Sequence, residues 1–328
     1  MNKKRLLTVM GGSKKVLPVS VDFTALADGS LPTSFTGATW TIATAKAINT
    51  PTLGASLWDA NASTFEGEST YAWTAYNNNT IANINNTLVV TYVDNASGAK
   101  VSLLDSADLS ANMVINTFYR IGFKQKINAG THGVLLRHAT TIYSSLGALN
   151  NTDYVARVAD FRCGENTTYP ELQLSLMEAG EVVTLDDLSL QAITSDNLYA
   201  VYNTELSSNV VVKAGITVAN GRLSGVACCL NASSNPTYGI VAYIDNQQLI
   251  MSKFINGVYT QLIRTTITYS AGSDLEIRKN GTSVMAYYNG SQIGTTQTVS
   301  DVTVVDNKYC GLFGTAGEVA TFSVAVFP

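Results

Sequence analysis

The chain has 328 residues, 46% of them apolar and only 13% charged, with a formal net charge of −4. That is enough apolar material for two buried cores, with about half the usual share of charge. Five of the 20 basic residues (Lys3, Lys4, Arg5, Lys14 and Lys15) lie in the first fifteen positions, so the body carries 15 basic against 24 acidic residues; such a surface does not attract nucleic acid, and no apolar run approaches the roughly 20 residues of a membrane span.

The opening MNKKRLLTVMGGSKK imitates a secretory signal. Its apolar run, 6–10, is too short, and Lys14-Lys15 follow without a cleavage site. Residues 1–17 therefore read as a basic arm. A first strand is expected over 19–26. Asp28-Gly29-Ser30-Leu31-Pro32 is a turn, 38–43 with Trp40 a further strand, and Asn49-Thr50-Pro51 breaks the pattern. From Trp58 the texture turns polar and aromatic. Alternating runs follow at 88–93, 101–104, 118–127, 134–136, 154–161 and 172–177, and 181–193 closes the block. In 118–127, Tyr119, Ile121, Phe123 and Ile127 share one face, opposite Arg120, Lys124 and Lys126.

A second series runs 210–218, 226–230, 238–244, 249–254, 258–263, 275–294, 309–313 and 319–327. Within 275–294, Asn280-Gly281 and Asn289-Gly290 suit type I′ turns because Asn and Gly both tolerate positive φ. They predict a three-stranded meander. No segment carries a sustained helical period. Many short strands at this spacing predict an all-β fold of β-sandwiches. Cys163, Cys228, Cys229 and Cys310 show no metal or redox spacing. They read as buried free thiols, with the adjacent Cys228 and Cys229 on opposite faces of a sheet. A bridge from one of these two to Cys310 is the alternative.

Residues 59–193 resemble the jelly-roll carbohydrate-binding modules of the galactose-binding-like superfamily. The resemblance is carried by Phe65-Glu66, Trp73, FYRIGFKQK at 118–126 and VTLDDLSLQAI at 183–193. Residues 194–328 resemble the concanavalin A-like sandwiches of the laminin G type, through 238–263, the "YYNG" hairpin of 269–294 and GLFGT at 311–315. DFTALADG, starting at Asp22, has the look of the first strand of such a sandwich, yet it precedes the jelly roll. The implied organisation is discontinuous: 18–53 plus 194–328 form one sandwich, and the jelly roll, 54–193, is inserted at an exposed turn. Such insertions are tolerated because the ends of a domain often lie close together.

Catalytic signals are sparse. His132 and His138 fall on one strand, about 20 Å apart, too far for a metal pair. Concanavalin A-like glycosidases carry three closely spaced acids on one strand. Here Asp274 and Glu276 are followed by Arg278, so the pair needed for glycoside hydrolysis is not assembled locally. No catalytic residue is assigned and no cofactor is required. In the resembled modules, acids at the first and closing strands hold a structural calcium, and Glu66 and Asp187 are the matching positions. Hard oxygen ligands suit that ion; the alternative for Asp186-Asp187 is a solvated turn. Sugar sites need an aromatic face and planar polar groups. Tyr71, Trp73, Tyr76 and Asn78 supply both within nine positions, and Tyr143 and Tyr154 are expected at the same end. Trp73 has a second reading, as a plug of the core. Trp40 and Trp58 are expected at the domain junction.

These features suggest attachment. The expected class is a non-enzymatic bacteriophage virion protein: a head decoration, fibre or tail-associated component at the virion surface. Lys3, Lys4, Arg5, Lys14 and Lys15 would anchor an extended arm on capsid or tail subunits. The body, expected as a homo-oligomer, would meet host-surface or environmental glycans. A secreted polysaccharide-binding protein is the first alternative, and a glycosidase with a dispersed site the second.

Overall fold

The computed structural model describes residues 19–327 except 38, 68, 77–78, 94–99, 105–106, 139–140, 165–167, 176–177, 195–197 and 246; for 76, 100–104, 138, 141–145 and 175 it describes the backbone alone. The arm and Asn78 lie outside the described residues.

The fold is all-β, with four antiparallel sheets stacked as two sandwiches. The first sandwich pairs a nine-stranded sheet with a seven-stranded one, counted among the described residues. The nine-stranded sheet is centred on Val210–Thr217, between Glu318–Val326 and Ser273–Asn280. Strands from the start of the chain join both sheets. Val19 pairs with Val324, Ala47 with Val319, and Phe35 with Tyr202. Between the sheets lie Phe23, Trp40, Ile42, Val212, Ile240, Ile277, Leu312 and Phe322, all buried.

The meander forms, with one correction of register. Tyr288 pairs with Ser291, so Asn289 (φ 48°) and Gly290 (φ 80°) make the two-residue turn expected of them. Asn280, however, is the last residue of its strand and pairs with Ser283. The first turn is therefore Gly281-Thr282, with positive φ at Gly281 alone, which is the demand of a type II′ turn rather than I′.

The second sandwich, a jelly roll, spans the middle of the chain. Its six-stranded sheet runs Val155–Arg162, Phe118–Ile127, Val182–Ile193, Leu88–Tyr92 and Asn79–Asn83, with Leu53–Ser56 also paired to Val182–Ile193. The facing sheet runs Thr141–Leu149, His132–His138, Glu171–Ser175, Lys100–Leu104 and Thr74–Tyr76. Tyr119, Ile121, Phe123 and Ile127 point into the core, as their alternation predicts.

The sandwiches meet through a third apolar cluster. Phe118 and Ile193 of the jelly roll pack on Tyr199, Tyr243, Phe254 and Phe313, which stand on the outer face of the seven-stranded sheet. Beside it, Asp160 is fully buried and accepts hydrogen bonds from two arginines, one from each sandwich. Arg120 Nε lies at 2.7 Å and Arg222 Nη1 at 3.1 Å. The Asp160 amide donates to the Gly221 carbonyl at 2.6 Å. Gly221 has φ 73°, and a Cβ there would lie 2.0 Å from the Val158 carbonyl oxygen, so the close approach of the two backbones requires glycine.

Trp40 and Trp58 do not sit at this junction. Trp40 is in the core of the first sandwich, and Trp58 stacks on Trp73 at 5.6 Å in the core of the second. Rings of this size are best shielded between two sheets, and the junction is filled by Phe and Tyr instead. None of the four cysteines forms a disulfide, and all four are buried. Cys228 and Cys229 face the same core, against the expectation of opposite faces. A register break between Ala227 and Leu230 puts Cys229 at φ 53°, which cancels the strand alternation locally. Burial pushes the Cys163 thiol up to about 11.

Candidate functional site

The aromatic residues singled out in the sequence part company in the fold. Trp73 is 2% exposed and covered by Trp58, so it plugs the core and offers no platform to a sugar. Tyr71 folds back on the turn after the short helix Ala60–Thr64, its hydroxyl donating to the Glu66 carbonyl. Burial, then the Asp59, Glu66 and Asp108 carboxylates, hold its phenol above the ordinary range. Tyr76 and Tyr143 lie on strands of the five-stranded sheet; their side chains are outside the described residues, as is Asn78. Tyr154 immediately precedes the edge strand Val155–Arg162 of the six-stranded sheet and is 38% exposed.

Of the two positions matched to a calcium site, Glu66 accepts the Tyr71 hydroxyl at its carbonyl and Asp187 is ion-paired. The Asp187 carboxylate is neutralised by Lys124 at 2.5 Å, and that hydrogen bond raises the Lys124 ammonium. Burial raises the neighbouring Asp186. Calcium needs six to eight oxygens, and among the described residues no three His, Cys, Asp or Glu side chains gather around one point.

On the five-stranded sheet, Leu172 and Leu174 enter the core, which turns Glu171 and Gln173 outward. Register then sets Tyr76, Ser102, Gln173 and Leu135 in one row. Arg137 bridges Gln173 and Glu171, donating to the Gln173 Oε1 and lying 3.8 Å from the Glu171 carboxylate. Gln173 is 1% exposed; its Oε1 is engaged, and its Nε2 has no hydrogen-bond partner among the described residues.

The opposite face is open. On the six-stranded sheet, Ile127, Val183, Leu185, Leu88 and Val90 point inward. The residues between them, Lys126, Thr184 and Val89, therefore point outward. Register pairs Lys126 with Thr184 and Thr184 with Val89. Gln125 pairs with Val155, so Tyr154 falls at the next step and extends the row beyond Lys126. The Lys126 ammonium lies over the Tyr154 ring, 4.5 Å from its centroid. The turn carrying Ile84, Asn85 and Thr87 closes the far end, giving an open pocket of about 430 Å³. An aromatic ring, an ammonium, two hydroxyls and an amide line it. Of these, only Tyr154 was marked in the sequence as a site residue. Alternation had placed Lys126 on a polar face, but the pairing that unites four segments had no local signal.

A second cleft, of about 350 Å³, opens at the junction of the sandwiches beside Phe118, Tyr199, Phe254 and Tyr259. Its rings are already engaged. Phe254 stacks on Tyr259 at 5.1 Å, the Arg162 guanidinium lies 5.4 Å from the Tyr259 ring centroid, and the Tyr199 and Tyr259 hydroxyls share a 2.7 Å hydrogen bond. Phe118, Tyr199 and Phe254 are also buried, so these three rings offer no platform.

The acids considered for catalysis are tied to cations. Asp274 pairs with Lys213 at 2.6 Å, and Glu276 pairs with Arg278. The His132 ring nitrogen Nε2 lies 2.9 Å from the Ala129 carbonyl in a fully buried position.

No protein-family model matches the chain, and no curated protein matches it. Solved structures with a similar fold superimpose loosely, as three of them illustrate. The carbohydrate-binding module CBM66 from Bacillus subtilis aligns over 41% of this chain and 83% of its own, at 13% identity and a TM-score of 0.33. Sheep galectin-11 in complex with glycerol aligns over 38% and 95%, at 8% identity and 0.31. A tandem CBM22 domain from Paenibacillus barcinonensis aligns over 84% and 100%, at 10% identity and 0.32. The chain is an all-β protein of the β-sandwich, jelly-roll class.

Proposed function

We propose that this chain is a non-catalytic glycan-binding attachment protein whose contact with sugar is the Tyr154 face of the jelly roll. One observation carries the reading. Strand register brings an exposed aromatic ring, Lys126, Thr184, Asn85 and Thr87 around one open pocket. A pyranose has an apolar C–H face and a rim of hydroxyls. The ring and Ile84 match the first, and the hydroxyl, amide and ammonium groups match the second. In this reading residues 54–193 are an inserted module that presents the face, and the first sandwich is its base. The attachment half rests on the sequence: the five cations of residues 1–17 suit docking on an acidic subunit of a bacteriophage capsid or tail.

The test of recognition is affinity electrophoresis through gels loaded with a panel of polysaccharides. At least one should retard the native chain, and Tyr154→Ala should abolish that retardation with an unchanged melting temperature. Equal retardation of the variant removes the site from this face. Copurification with virus particles tests attachment. Deleting residues 2–15 should abolish it and leave the body folded; a secreted polysaccharide-binding protein would not copurify in either form.

A further inference from the structure

We infer that the Tyr154 pocket selects an anionic saccharide, with Lys126 as the residue that receives its acidic group. This rests on the glycan reading above and adds the charge of the ligand. The pocket lining contains one cation and, among the described residues, no carboxylate. Lys126 makes no ion pair among the described residues; its contact is with the Tyr154 ring. The next lysine along the strand behaves differently. Lys124 is held by Asp187 at 2.5 Å, so that charge is already balanced. The protein body is acidic as a whole, which makes an unbalanced ammonium inside an open pocket a local exception.

The position also fits. Lys126 is half-buried between Thr184, which is itself buried, and Tyr154, so its stem is held while its head faces the pocket. A point charge on such a stem suits a single carboxylate or sulfate. Thr184 and Thr87 stand nearby for ring hydroxyls, and the Tyr154 ring for the C–H face. A neutral sugar would leave the ammonium with the Tyr154 ring alone and gain only the remaining contacts.

The test compares three soluble probes by calorimetry on the full chain: an oligogalacturonate, its carboxyl-reduced counterpart, and a sulfated galactan oligosaccharide. The oligogalacturonate, the sulfated probe or both should bind at least about tenfold more tightly than the reduced one, with an advantage that shrinks as salt is raised. Lys126→Gln should erase that advantage and leave the melting temperature unchanged. Lys126→Arg should restore part of it. Three results overturn the inference: equal affinity for acidic and reduced probes, an acidic preference that survives Lys126→Gln, or an acidic preference indifferent to salt. If neutral and acidic probes bind alike and Tyr154→Ala abolishes both, the inference fails and the glycan reading stands. If acidic binding survives Tyr154→Ala and Lys126→Gln alike, both fail.

Discussion

In the strand Leu223–Leu230 every residue is buried, whereas along Ser283–Tyr288, in the opposing sheet of the same sandwich, burial alternates residue by residue. Both strands line one core with their inner faces. Their outer faces meet different surroundings. The seven-stranded sheet is covered by the jelly roll, and Ala227, Leu230, Val241, Tyr243 and Phe313 pack there in a second apolar layer. The nine-stranded sheet faces water with Lys213, Asp274, Arg278 and Tyr287. A sheet covered on both sides reads as a continuous apolar run, and one covered on a single side alternates. The junction is therefore part of the folded core and not a loose contact between modules.

Four substitutions would break or sharpen that contrast. The largest loss is expected for Phe313→Ala. The ring is fully buried and lies 5.2–5.7 Å from the rings of Phe118, Tyr199 and Tyr243. Removing it should cost about 3–5 kcal/mol in chemical denaturation. A loss below 1 kcal/mol would mean the outer layer contributes little. Asp160→Ala comes next, because it leaves Arg120 and Arg222 without their shared acceptor. Their side chains keep 14% and 19% exposure, so water relieves part of the penalty. A loss of about 3 kcal/mol is expected. If the unfolding free energy stays unchanged, the ion triad does not couple the sandwiches.

The third substitution concerns pH. Burial pushes the Asp245 carboxyl up to about 7; Arg264 opposes the shift and Asp160 adds to it. Asp245 Oδ1 has no hydrogen-bond partner among the described residues. The folded form thus holds a proton that the unfolded chain has released above about pH 4. Stability from this group is present below that value and is lost as pH rises through 7. The melting temperature should fall by several degrees between pH 5 and pH 8, and Asp245→Asn should flatten the fall. An identical slope in the variant would assign the pH dependence elsewhere. The smallest effect is expected on the open face. Arg278 lies 3.7 Å from the Tyr287 ring centroid, yet Tyr287→Ala should cost no more than about 1 kcal/mol. A loss matching that of Phe313→Ala would show that this face, too, is covered in solution.

Much of the architecture was legible along the chain. The 118–127 run showed which side faces the core, because strand geometry forces successive side chains to opposite faces. The Asn289-Gly290 turn was equally plain, since few residue pairs accept two positive φ angles. Other features were not legible. Trp73 and Tyr154 sit in similarly polar, aromatic stretches, yet one is in the core and the other on the surface. Composition cannot separate them, since a tryptophan serves both roles and its fate depends on whether another ring, here Trp58, arrives to cover it.

By itself, the sequence determined what is local: the strands, most of their turns and the inward face of most strands. Tertiary structure decided what depends on pairing. The break at Ala227–Leu230 turned Cys228 and Cys229 into one core, and Asn280 took the place of a strand residue and not a turn residue. Lys126, Thr184, Val89 and Tyr154 became neighbours only when their four segments took their register. Alternation fixes the face on which a side chain stands, but its neighbours on that face come from strands remote in sequence. Sliding one strand by a single residue would send its whole polar set to the other side.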